Sequence, residues 1–311
     1  MPSLLTHQWF SQRIIDQYQT RFPFLNDHAA MVYLGAQGPD PFFFYGHAPF
    51  HSRKDTKAIN TFGSFLHNHA LPLTLGKLLN AFHAQPNEEA VAAYILGALT
   101  HYALDSTVHP YVFYRSGFDE KGQLTGRYGY DHARLEVAMD VALIQEKALD
   151  KKQYQPSVTL SFKQVEVEKV SRLYARAYPD SLTERAFFDA SEDMKASYQF
   201  LYDAGPLRKI LVRIISGKYG LAHALIHPRS ISPQWQKTVL NSTRVPWQFP
   251  ETGKEVSLTF MELVTQAEEK MAHFIPLVTN APTQEELSAW TVDYDGKTVG
   301  SQQRYFQSYF R

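Results

Sequence analysis

The segment HYALDSTVHPY carries His101, Asp105 and His109, an imidazole, a carboxylate and an imidazole at intervals of four. In a helix, residues four apart lie about 6 Å apart along the axis and roughly 40° apart around it. His101 and Asp105 therefore reach one metal ion, and His109, a turn later, reaches that ion or a neighbour. His101 also follows Tyr94 and Ala98 by seven and three positions, on an otherwise apolar face. A carboxylate turned into such a face needs charge compensation, because burying it unpaired is very costly. A divalent cation supplies that compensation, and so does a metal-free His–Asp pair in a helix bundle. This segment alone weighs the two equally.

Other segments add donors. HARLE places His132 and Glu136 four apart, although Asp131 and Arg134 beside them also suit a surface pair. Taken with the first segment, it gives two helices that each offer a nitrogen and a carboxylate, as metal sites between bundled helices require. In GAQGPDPFFF, Asp40 sits between prolines and after two glycines, which predicts a fixed turn. GSFLHNH offers His67 and His69, whose spacing of two points them to different sides of a helix, so at most one joins the same site. His7, in LTHQWF, is a further candidate ligand, although capping or packing is the commoner role there. His223 and His227 are four apart with no carboxylate at that spacing, and read as structural.

The elements that must hold these residues are helices. Apolar residues recur at helical spacing over 8–19, 56–83 with a bend at Pro72, 131–148, 163–177, 182–203, 206–217, 259–275 and 284–290. The clearest helix starts after Pro86, with Asn87 as N-cap, and is expected to stop near His109 and Pro110. Period-two alternation is nearly absent, and EVSLTF (255–260) is the one short candidate strand. The expected fold class is all-α, a multi-helix bundle with a metal cluster between helices. Two long loops are predicted at 111–130 and 228–256. Neither reads as a linker, so 1–311 is expected to form one domain. Residues 1–148 would carry the metal site, and 149–311 the helical packing and substrate-side elements.

Composition narrows the chemistry. There is no cysteine among the 311 residues, so any metal is held by His, Asp, Glu or backbone oxygen, and there are 13 histidines, ten of them between His7 and His132. Lys plus Arg equals Asp plus Glu at 31 each, against the basic excess of a protein built to grip nucleic acid. The start, MPSLLTHQWFSQRIID, does not read as a secretory leader, and a cytoplasmic location is expected.

The ordered set resembles the zinc-dependent phospholipase C family and its bacterial relatives. The match runs through Thr-His at His7, GAQGPD at Asp40, Gly-Ser-x-Leu-His at His67, His-x-x-x-Asp-x-x-x-His-Pro-Tyr at His101, Asp105 and His109, and His-x-x-x-Glu at His132 and Glu136. It covers residues 1–140, with a weaker echo in LNSTRVPWQFP and LTFMELVTQA. The resemblance implies an all-α fold and two or three zinc ions. His67, His101 and Asp105 would hold one; His109, His132 and Glu136 a second; Asp105 and His7 would help with a third. Asp40 would be a ligand or the general base. No segment reads as the membrane-binding β-sandwich of the toxin members.

The expected activity is hydrolysis of a phosphodiester by a metal-bound hydroxide, with Asp40 orienting or deprotonating the nucleophile. The expected partner is a phospholipid or other phosphodiester substrate, with possible transient contact to a membrane surface and no stable nucleic-acid partner. Phe42, Phe43, Phe44, Tyr45 and Phe50 would form a packed aromatic core beside the site, or line an acyl or base pocket. A nuclease or nucleotidase on the same fold is the competing enzyme, and a metal-stabilised helical binding protein the competing non-enzyme.

Overall fold

The computed structural model describes residues 4–48, 53–85, 88–116 and 126–299. Asn87 and Phe50 lie outside them, as do residues 117–125 of the first expected loop. α1 (Leu4–Tyr18) leads through α2 (Phe24–Asp27) and α3 (Ala29–Gly35) to a turn and the short α4 (Pro41–Phe44). α5 (Thr56–His67) and α6 (Leu75–His83) follow, then the long α7 (Glu89–Arg115) and α8 (Tyr128–Glu146). The second half contributes α9 (Pro156–Thr159), α10 (Gln164–Ala177), α11 (Ala186–Leu201), α12 (Pro206–Ser216), α13 (Leu221–Ala224), α14 (Pro233–Val239), α15 (Phe260–Phe274) and α16 (Gln284–Ser288). The only sheet among the described residues is the two-residue antiparallel pair β1 (Trp247–Gln248) and β2 (Glu255–Val256). The protein is all-α.

α7 is the axis of the fold. It is buried from Ala90 to Phe113, and its sequence is apolar or small on every face, as a helix surrounded by other elements must be. α1, α3, α8 and α15 all pack against it. The α3 crossing is the closest. A Cβ on Gly35 would come within 2.1 Å of the Tyr94 carbonyl oxygen, and one on Gly97 within 2.2 Å of that of Val32. Glycine at both positions lets the two backbones touch, which brings the turn after α3 directly over α7.

Four expected boundaries differ. The helix expected to bend at Pro72 is instead two helices separated by a 3₁₀ turn at Leu71–Leu73, since proline lacks the amide that would continue the ladder. α7 does not stop at Pro110 but continues to Arg115, with Pro110 inside it. Burial explains the continuation: Tyr111, Val112 and Phe113 are all core residues. The expected loop at 228–256 contains α14, whose N-cap Ser232 accepts a hydrogen bond from the Trp235 amide, as well as β1. Of the candidate strand 255–260, only its first two residues are strand, because Thr259 and Glu262 close a capping box that starts α15.

Candidate metal centre

The expected site residues come from five places in the fold. α7 supplies His101, Asp105 and His109 on successive turns, and α8 supplies His132 and Glu136. His7 comes from the second turn of α1, His67 is the last residue of α5, and Asp40 lies in the turn entering α4. All eight side chains are buried. Their donor atoms gather into three groups, each within 4.8 Å: Asp40, His67 and His101; His7, His101 and Asp105; and His109, His132 and Glu136. The grouping differs in one respect from that implied by the resemblance. Asp40, rather than Asp105, stands with His67 and His101, because the α3 crossing lays its turn against that end of α7. His69 joins no group; its Nδ1 donates to the Phe65 carbonyl. His227, read from the sequence as structural for want of a carboxylate at that spacing, does meet one, Asp140 of α8, at 2.9 Å.

Ring protonation decides what these contacts are. The Nδ1–H of His67 donates to the Gly63 carbonyl, that of His101 to Ala36 and that of His109 to Tyr294, each at 3.0 Å. In a neutral ring this leaves the Nε2 lone pair facing inward. His67 Nε2 there lies 2.8 Å from Asp40 Oδ1, and His101 Nε2 lies 3.0 Å from Asp105 Oδ2. Neither contact is oriented as a hydrogen bond. Both ring nitrogens, both Asp40 oxygens and Asp105 Oδ2 lack hydrogen-bond partners among the described residues, although all are inaccessible to water. Lone pairs converging on a point rather than on each other are what a cation requires, with the outer hydrogen bonds fixing each ring. A void of about 20 Å³ lies among Thr6, His7, Asp105, His109 and Glu136, closed on its other side by Leu104, Val108, Val112, Met139 and Phe260. The donor set, nitrogen and carboxylate oxygen only, fits zinc.

The electrostatics agree. Burial alone would raise the Asp105 carboxyl, but His101, His109 and His7 outweigh it and hold it well below its ordinary value. His109 shows the converse: burial would lower it, and Asp105, Asp295 and Glu136 push it well above the usual imidazole value. Glu136 is likewise lowered against its burial, chiefly by His132. Asp105 and Glu136 are thus compensated chiefly by imidazoles. Metal ions would take over that compensation.

Beside the group of His109, His132 and Glu136 a cavity of about 400 Å³ opens, lined by His67, His109, His132 and Asp295, by Phe43, Phe113, Tyr128 and Leu221, and by Ser64 and Asn68. Among the described residues none that lines it is Lys or Arg. Of the aromatic run, Phe42 and Phe44 belong to the core and Phe43 alone faces this cavity.

The profile of the family described as zinc-dependent phospholipase C matches residues 6–198. The chain belongs to that family. All eight donors fall inside the matched stretch, whereas the weaker C-terminal echo falls outside it. No curated protein and no solved structure matches the chain significantly.

Two further features of this zinc-dependent phospholipase C family member escape its motifs. The loop after α16 returns to the site, where Tyr294 packs its ring on His67 and His101 and gives its carbonyl to His109. Next to it, Asp295 Oδ1 lies 3.3 Å from His109 Nδ1, and against its burial this contact lowers the Asp295 carboxyl. Nothing local marks Asp295, which is separated from His109 by 186 residues and lies in a polar loop. The other feature is Asp140, which accepts hydrogen bonds from the Leu5 and Thr6 amides and from His227 Nε2. It thereby caps the start of α1 and fixes the helix that carries His7. The hint in the sequence is its place one turn beyond Glu136, on the same face of α8.

Proposed function

We propose that this protein is a zinc-dependent phosphodiesterase that hydrolyses a phospholipid in the manner of a phospholipase C. The observation that carries the reading is the convergence of three buried His–carboxylate groups, with unpartnered inward atoms on Asp40, His67, His101 and Asp105, beside a cavity of substrate size. Asp40, His67 and His101 would hold one ion, His109, His132 and Glu136 a second, and His7 with Asp105 would contribute to a third. Zinc there would acidify a water and offset charge on the phosphoryl oxygens. Asp40 would orient that water or take its proton through the carboxylate oxygen not turned to His67. Asp295, in the cavity lining, holds the His109 ring from the side opposite Glu136. The substrate class follows from the cavity wall: aromatic and aliphatic side chains without a basic residue suit a glycerolipid better than a polyanionic strand, which would call for Lys or Arg along its path.

The test is elemental mass spectrometry on purified protein, paired with hydrolysis assays on phosphatidylcholine and single-stranded DNA. Two or three zinc equivalents, fewer in His101→Ala and His132→Ala, and release of a phosphorylated headgroup are expected. Asp40→Asn is expected to lower turnover by at least about a hundredfold while leaving zinc at the second group in place. Absence of zinc uptake together with inertness toward both substrates would overturn the reading, and cleavage of DNA alone would replace it with a nuclease.

A further inference from the structure

We infer that α12 and the turn after it form an interfacial anchor that seats this protein on an anionic lipid surface. An ordinary surface helix turns its apolar stripe toward the core. α12, with the sequence PLRKILVRIIS, does the reverse. Leu207, Ile210, Leu211, Ile214 and Ile215 are all exposed, Leu207 at 84%, Ile214 at 73% and Ile215 at 76%, while Val212 is the buried residue of the helix. At about 100° per residue the five exposed side chains fall within an arc of roughly 140°. Arg208 and Arg213 flank that arc, and Lys209 lies behind it. A contiguous apolar stripe of this kind on a protein surface marks an interaction site.

Charge selects the occupant. The whole chain is neutral, yet no acidic residue occurs between Asp203 and Glu251, a stretch that holds seven Lys and Arg. Arg229 and Arg244 are neutralised by Asp203 and Glu262. Arg208, Lys209, Arg213 and Lys218, on α12 and its turn, form no ion pair among the described residues. An apolar stripe edged with cations is the pattern of a helix lying in a bilayer interface, its hydrocarbon in the acyl boundary and its charges at the headgroups. A second copy of the chain is a poorer occupant. A twofold contact through this stripe would set the same cations against one another. No helix among the described residues is long and apolar enough to cross a membrane, so the contact is a surface one.

The anchor is also placed for use. The chain turns at Gly217, with φ +79°, and passes Tyr219, whose ring meets Tyr130 and lies under Arg127. It then enters α13, which packs on α8 and sets Leu221 in the wall of the cavity over His109 and His132. The stripe and the cavity mouth are thus joined by a few residues, and a lipid entering from the bilayer has a short path. This last step rests on the proposed function; the surface binding does not.

Vesicle flotation tests the anchor without reading hydrolysis. The probes are phosphatidylcholine vesicles with and without phosphatidylglycerol, at low and high salt. The intact protein is expected to float with the anionic vesicles and less so as salt rises. A variant with Leu207→Ser, Ile214→Ser and Ile215→Ser is expected to bind on the order of a hundredfold more weakly. A variant with Arg208→Gln and Arg213→Gln is expected to lose about tenfold, on anionic vesicles alone. Unchanged melting by circular dichroism establishes that both are folded. The inference is overturned if the intact protein stays with the buffer, if the serine variant floats equally well, or if the stripe instead dimerises the protein without lipid and the serine variant is monomeric. Turnover of a soluble phosphodiester by the intact protein is measured in parallel. Flotation without turnover removes the catalytic reading and leaves the anchor, and turnover without flotation does the opposite.

Discussion

Position 38 tolerates only glycine, for two independent reasons. Its φ is +52°, in the left-handed region, and a Cβ there would come within 2.2 Å of His101 Cδ2. The left-handed backbone costs an L-residue roughly 1 kcal/mol. The contact is the more serious effect, because it displaces a ring whose Nε2 faces both Asp40 and Asp105. Gly38→Ala is therefore expected to weaken zinc binding about ten- to a hundredfold, with a much smaller effect on melting. Competitive titration against a chromophoric chelator measures the first and calorimetry the second. An alanine variant with unaltered affinity would mean that His101 is not held where a metal needs it.

At the scale of elements, α7 is braced from behind by α15. Lys270 of α15 donates to Ser106 Oγ and Thr107 Oγ1 at 2.9 and 2.8 Å, and burial lowers its pKa from 10.5 to about 8. Among the described residues no carboxylate pairs with it to offset the cost of burying this charge. The folded protein gives up the proton near pH 8 while the unfolded chain keeps it to about 10.5, so stability rises with pH between those values. Below pH 8 the lysine costs on the order of 1–3 kcal/mol. Ser106 and Thr107 also donate to the Tyr102 and Ala103 carbonyls, and are left partnered if the amine is removed. Lys270→Met is thus expected to be more stable than the parent at pH 7, with the difference shrinking toward pH 10. Thermal melts at the two pH values read this directly, and a variant less stable at pH 7 would show that the two hydrogen bonds outweigh the burial cost.

For the whole molecule, the hydrophobic core runs without interruption from Leu4 to Tyr294, and the candidate centre lies inside it. Metal loading and global stability are then one equilibrium, since an ion bound by the folded state alone stabilises it by mass action. Calorimetry is expected to give a single transition for the zinc-loaded protein. Chelation should move that transition down by on the order of 10 °C, because the buried carboxylates then lose the cation's compensation. Two separable transitions, only one of them sensitive to chelator, would instead divide the chain near the end of the metal-bearing half.

What was legible in the sequence is what local spacing controls. Helical periodicity gave the all-α class and most element positions. The interval of four put His101 with Asp105, and His132 with Glu136, on single helix faces, because 3.6 residues per turn allows little else. The outward stripe of α12 was also visible as a period, but not which side of it would meet solvent. Tertiary packing decided the rest. The contact of Gly35 with Gly97 swung Asp40 onto His67 and His101, and burial of Tyr111 to Phe113 carried α7 through Pro110. The return of the C-terminal loop brought Asp295 to His109, and the packing of α13 on α8 gave His227 its carboxylate. Each of these joins residues far apart in the chain. Such contacts arise only once the core has fixed the helices against one another, and no spacing along the sequence encodes the distances between them.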